Sequence, residues 1–178
     1  MIAAIRRLTT DYVDNEDRLR LSGDIADGAP VSMWLTQRVA LRLLPVLAQW
    51  LDSQIGMAVT QDAAASRLAA QDAQKQIVHG FAQEAAVAEL EPQDPVQAAT
   101  SAGGLIQSID LTPSERGIRL VFRTADGRAA GFSLSAAELR QWLAIMRGVW
   151  LRAGWPEAPW PEWMKGEARP AERQIVLH

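Results

Sequence analysis

The chain has 178 residues, 48% hydrophobic and 22% charged, with a net charge of -3, an ordinary globular composition for one domain or two very small ones. It has no cysteine, which excludes disulfides, thiol nucleophiles, iron–sulfur clusters and cysteine zinc sites, and only two histidines, His79 and His178, which nearly excludes His-based metal or triad chemistry. No stretch approaches the ~18 apolar residues of a membrane span, and the first residues lack the apolar core of a secretory signal, so a cytoplasmic protein with no membrane contact is expected.

Residues 2–9, IAAIRRLT, read as a weak first strand. Acids crowd the loop behind it (Asp11, Asp14, Glu16, Asp17) in a spacing that lacks a fixed divalent-ion ligand set, as in a solvated turn. Leu19, Leu21 and Ile25 then alternate with Arg18, Arg20 and Asp24, the period of a half-buried strand. Ala26-Asp27-Gly28 is a hairpin signal, and Val31, Met33 and Leu35 mark the returning strand. Thr36 is a good helix N-cap. The helix after it, ending at Trp50-Leu51, presents Ala40, Leu43, Leu44, Leu47 and Leu51 inward and Arg38, Arg42 and Gln49 outward. Pro45 inside it is expected to kink or split it, because proline removes one helix hydrogen bond.

Residues 56–91 are rich in Ala, Gln, Glu and Leu, all strong helix formers. Unbroken, about 30 residues would give a rod near 45 Å. Two arrangements fit: an amphipathic helix, or a pair bent near Gly80, lying across its own domain, or a helix that projects and pairs with its copy in a second chain. Ile77 and Phe81 are the candidate contacts of the second arrangement. His79, with Gln76 and Gln83 at helical spacing, reads as a solvated or core-edge histidine. Residues 92–104 are a linker by composition, and Gly103-Gly104 is too isolated to cradle a phosphate.

Beyond the linker the first pattern returns at an offset of about 99. Residues 19–36 align without a gap to 118–135, with identities at Arg20/Arg119, Leu21/Leu120, Ala26/Ala125, Asp27/Asp126, Gly28/Gly127 and Leu35/Leu134. A weak strand, 105–112, again precedes the hairpin, and Ser135-Ala-Ala-Glu138 is a capping box opening a helix. That helix carries Leu139, Trp142, Leu143, Met146, Val149 and Trp150 on one stripe, with Arg140, Arg147 and Arg152 off it. The expected fold is α+β: two β-β-β-α repeats from an internal duplication, forming an antiparallel sheet, sandwich or small barrel flanked by helices, with a long Ala/Gln-rich helical insert. Residues 1–154 are expected to be one globular domain: first repeat 1–53, insert 54–91, linker 92–104, second repeat 105–154. Leu19, Leu21, Met33, Leu35, Leu120, Phe122, Phe132, Leu134, Leu143 and Met146 should be buried together.

Residues 155–178 form a Trp/Pro-rich strap and tail. Trp155, Trp160 and Trp163 either fold back over the core or dock into a partner's groove, as stiff proline-rich segments do. Gln174-Ile175-Val176-Leu177 has the composition to extend a sheet edge, in its own chain or another. Arginine outnumbers lysine 16 to 2, as a GC-rich bacterial coding sequence produces. If the bias serves phosphate contact, Arg18, Arg20, Arg119 and Arg123, on the polar sides of the two related strands, are the candidate nucleic-acid contacts.

No Walker loop, GxGxxG, His-Glu-x-x-His or calcium-loop motif occurs. The order of strands, inserted helical segment, strands and helix resembles that of the head domains of end-joining scaffold and centriolar cartwheel proteins. That resemblance implies a scaffold role and transfers no residue role; those heads lead into a long coiled coil, whereas the last helix read here stops near Gly154. The functional expectation is a non-catalytic interaction or scaffold protein without a cofactor or metal, self-associating as a homodimer, with a possible protein partner on the strap. A nucleic-acid-associated accessory protein is the alternative, and an enzyme of unrecognised type the third.

Overall fold

The computed structural model describes residues 2–26, 28–56, 68–91, 93–99 and 103–165. Residues 57–67 of the insert, the turn residue Asp27 and the segment Gln174–Leu177 lie outside the described residues, and residues 54–56 belong to the end of the first helix. The elements run β1 (Ala3–Val13), β2 (Arg18–Ile25), β3 (Val31–Leu35), α1 (Gln37–Gly56), α2 (Leu68–Ala88), β4 (Gly104–Ser114), β5 (Gly117–Thr124), β6 (Ala129–Leu134), α3 (Ala136–Arg152) and the short α4 (Glu162–Lys165). The six strands close into a barrel in sequence order.

Within each three-stranded meander the pairing is antiparallel, but β1 joins β6 and β3 joins β4 in parallel. A purely antiparallel sheet is therefore not what forms. The reason is parity. The first and third strands of a meander point the same way, so the two seams must be alike, and both are parallel because the long crossover through α1 and α2 brings the chain back to start β4 in the direction of β3. Both seams are short: Ala3 opposite Ala130 and Ala4 opposite Gly131, then Met33 opposite Gly104 and Trp34 opposite Leu105. Gly104 suits its seam because a Cβ there would stand 2.8 Å from the Thr124 side chain. Register slips occur between Ile5 and Arg7 in β1 and between Ile106 and Ser108 in β4. Such bulges bend a strand toward closure.

All ten residues expected in the core are buried in one cluster. Helix α1 buries Ala40, Leu43, Leu44, Leu47 and Leu51 as its spacing dictates. Pro45 does not split it: the helix runs through from Gln37 to Gly56 with Pro45 exposed. Thr36 accepts from the Val39 N–H at 3.3 Å, and Ser135 and Glu138 exchange both bonds of the capping box, 3.3 and 2.7 Å. At its other end α3 stops in a Schellman motif: Gly154 has φ 68°, its N–H donates to Leu151 O, and the Trp155 N–H donates to Trp150 O. That turn sends the strap back across the barrel. The Trp155 Nε1–H donates to Asp17 Oδ1 at 3.1 Å, and Asp17, itself at φ 47°, also accepts from the Tyr12 hydroxyl. So one of the crowded acids anchors the strap, while Asp11 and Glu16 pair with Arg20 and Arg18.

Between α2 and β4 the chain crosses the outer face of the first meander on a row of hydroxyls. The Val96 N–H donates to Thr9 Oγ1 and the Ala99 N–H to Ser32 Oγ, both at 2.8 Å, on either side of the fully buried Ser22.

Candidate functional site

Two surface features stand out, and one buried clasp positions the first of them. The clasp holds α2 to α3. Arg140, expected off the apolar stripe of α3, is buried, because α2 and α4 cover it. Its Nη2 lies 2.9 Å from His79 Nδ1, its Nη1 donates to the His79 carbonyl at 3.4 Å, and its carbonyl accepts from Gln83 Nε2 at 3.0 Å. The Trp163 ring stacks on His79, centroids 4.7 Å apart, and lies 5.0 Å from the guanidinium carbon. A guanidinium only donates, so Nδ1 must accept and the ring proton sits on Nε2. Asp52 Oδ1, at the end of α1, stands 2.7 Å from Nε2, without the alignment of a full hydrogen bond. The histidine lone pair is therefore engaged, and His79 as placed has none free to take a proton from a substrate. Sequence spacing put Gln76 and Gln83 beside His79, of which Gln83 is buried with it and Gln76 is exposed, and gave no sign of Arg140 or Asp52.

Desolvation and the neighbouring Arg140 charge lower the pKa of His79 from 6.5; Asp52 opposes them and Lys75 adds to them. Burial likewise lowers that of Arg140, opposed by Asp52. Below about pH 6.5 the unfolded chain takes up the His79 proton before the folded chain does, so stability present above that pH is lost as pH falls. Thermal midpoints measured from pH 7.5 down to pH 5 should decline. His79→Gln, which does not titrate, should flatten the decline, and an unchanged slope in that variant would remove His79 as its source.

With the clasp in place, α2 turns its polar side to the domain. His79, Gln83 and Ala86 are buried, and Ala86 O accepts from Gln141 Nε2 at 2.8 Å. At 3.6 residues per turn, Ile77 and Phe81 fall on the opposite side, 59% and 68% exposed, and Val78 on the flank beside them, 38% exposed. Of the other candidate contacts, Trp155 and Trp160 are buried in the core, where both meet Trp150 edge-on, and Trp163 is half-buried in the clasp.

The candidate arginines do not share a face. Strands β2 and β5 are opposite walls of the six-stranded barrel, which separates Arg18 and Arg20 from Arg119 and Arg123. Three of them stand beside acids, Arg18 by Glu16 at 3.7 Å, Arg20 by Asp11 at 3.6 Å and Arg123 by Asp110 at 2.6 Å; Arg119 lies over Gly131.

The second surface feature is a half-open groove of about 430 Å³ where β1 and β6 part beyond their seam. Its floor is apolar, with Leu8, Phe132, Trp142 and Ile145. Trp142 is held by its Nε1–H donating to Thr10 Oγ1 at 3.1 Å. Glu91 and Asp94, in the segment after α2, form the far rim. Among the described residues no group of three His, Cys, Asp or Glu side chains is placed to hold a metal ion, and no helix is long and apolar enough to cross a membrane.

Neither protein-family models nor curated proteins nor solved structures give a match to this chain, so the likeness to scaffold head domains remains one of element order alone.

Proposed function

We propose that this chain is a non-catalytic interaction protein that self-associates as a homodimer through the outer face of α2. The observation that carries the reading is the reversed polarity of that helix. An amphipathic helix normally buries its apolar stripe and wets its polar one; α2 buries His79 and Gln83 and exposes Ile77, Val78 and Phe81. Covering those three side chains removes apolar surface from water at about 25 cal/mol per Å², and an isologous two-fold contact supplies an identical face as the cover. Light scattering of the unmodified protein at tens of micromolar should give the mass of a dimer. Ile77→Asp with Phe81→Asp should give a monomer with unchanged circular dichroism, because both side chains project from the fold. A monomeric unmodified protein would sink the reading.

The internal duplication belongs to the same proposal. The strand bulges at Ile5/Arg7 and Ile106/Ser108 are 101 residues apart, whereas the aligned hairpins are 99 apart. The turn between β1 and β2 holds four residues, Asp14–Asp17, and that between β4 and β5 holds two, Glu115 and Arg116. Those two residues account for the difference in offset, which supports descent of both meanders from one unit.

A further inference from the structure

We infer that the two α2 helices of the homodimer run antiparallel, crossing on a two-fold axis beside Gly80, so that Ile77 of one copy packs on Phe81 of the other and Gln74 meets Glu84. The inference rests on the homodimer reading and adds its geometry. Three observations lead there. The first is how α2 sits on its own domain. Its buried side chains begin at His79, and every side chain from Gln71 to Val78 is exposed. These eight residues, about 12 Å of helix, bury nothing against the fold, and so short a helix is only marginal in water by itself. An antiparallel pair lays this half along the opposite half of the second copy's helix, which is held to α3. A parallel pair would set one unsupported half against another.

The second is the composition of the outer side. Gln74, Ile77, Phe81, Glu84 and Ala88 are exposed and recur at alternate spacings of three and four, the repeat by which one helix packs along another. Ala73 and Gly80 flank this seam on one side and Val78 and Ala85 on the other, all small or apolar. Asp72 and Lys75 fall on the side of His79, away from the seam. Glu84 is thus the one charge among the seam residues, and it decides the direction. A parallel two-fold pair sets each seam residue beside its own copy, so Glu84 would face Glu84, and like charges brought together at an interface are costly. In an antiparallel pair centred on residue 79, positions equally far on either side of that residue share a layer. Ile77 then lies with Phe81, and the Gln74 amide donates to the Glu84 carboxylate.

The third is Gly80. Glycine weakens a helix interior relative to alanine, and nothing in its own domain requires one here, since a Cβ at Gly80 would meet nothing within 4 Å. In the antiparallel pair the two Gly80 residues lie next to each other across the two-fold axis, where the missing side chains let the backbones approach closely. On the other flank Val78 meets Val78 of the second copy.

Sedimentation equilibrium of the full chain reads the dissociation constant. Gln74→Lys should lower it severalfold, and more so at low salt, because two ion pairs with Glu84 form across the axis. In a parallel pair the same change sets lysine against lysine and raises it. The absence of cysteine permits a second measurement that leaves Gln74, Ile77, Phe81 and Glu84 in place. Under mildly oxidising conditions Gly80→Cys should form an interchain disulfide at least about tenfold faster than Ala73→Cys, because the axis holds the first pair of thiols together at high local concentration. The two positions 73 stand about 18 Å apart along the antiparallel pair. A dimer that Gln74→Lys loosens, or one in which the two cysteine variants cross-link at equal rates, overturns the antiparallel arrangement and leaves the homodimer standing. An unmodified chain that sediments as a monomer removes the homodimer itself and this arrangement with it.

Discussion

Trp150→Ala is expected to destabilise the protein by about 3–5 kcal/mol, the range for truncating a fully buried aromatic side chain. Trp150 has no exposed surface and receives Trp155 edge-on at 4.8 Å between centroids and Trp160 at 5.7 Å. Its Nε1–H donates to the Pro156 carbonyl at 3.0 Å, so the same side chain anchors the strap at a third point. Truncation opens a cavity under two other tryptophans and frees the strap from α3. Trp150→Phe separates the contributions. It keeps most of the ring contact and loses the hydrogen bond, for about 1–3 kcal/mol. Urea unfolding supplies both values, and near-ultraviolet circular dichroism should change more for alanine than for phenylalanine. A loss below about 1 kcal/mol for alanine would mean that the strap does not pack on Trp150.

The elements whose apolar residues face the common core were legible from periodicity. Leu19 and Leu21, Leu120 and Phe122, and the stripes of α1 and α3 all obey the spacing of their element, and Ser135 with Glu138 announced a helix start that the structure realises in both bonds. What escaped has identifiable causes. The parallel seams are two residue pairs each, too short to leave a periodic trace, so the sheet was expected to be antiparallel. Of the two outcomes expected of Pro45, the split does not occur, and α1 runs from Gln37 to Gly56 with Pro45 on its exposed side. Arg140 fell off the apolar stripe, which gave no reason to bury it, but the covering helix approached from that side with a polar face of its own. His79 and Gln83 at i, i+4 were the available signal, and their meaning depended on a partner 61 and 57 residues further along the chain. The groove left no trace in the sequence at all, since it exists only because β1 outruns its seam with β6.

Arg140→Ala is expected to cost about 2–4 kcal/mol, and its companion Arg140→Met clearly less. The buried guanidinium lies on no carboxylate directly. It is compensated by a neutral histidine nitrogen, a carbonyl oxygen and the Trp163 ring, with Asp52 acting across His79. Removing it therefore strands no buried opposite charge, and the usual heavy penalty for breaking a buried ion pair does not apply in full. What remains is one acceptor left unpaired, His79 Nδ1, at about 1–3 kcal/mol, less the desolvation the charge no longer suffers; the His79 carbonyl, inside α2, keeps its helix bond from the Gln83 N–H. Alanine also loses the packing of the arginine stem between α2 and α4, which methionine largely restores. Both variants remove the positive charge that helps hold His79 neutral. The acid-induced decline in thermal midpoint between pH 7.5 and pH 5 should accordingly be shallower in Arg140→Met than in the unmodified protein. If methionine proves as costly as alanine, the hydrogen bonds rather than the packing hold α2 to α3. An acid slope unchanged in Arg140→Met would show that burial alone holds His79 neutral.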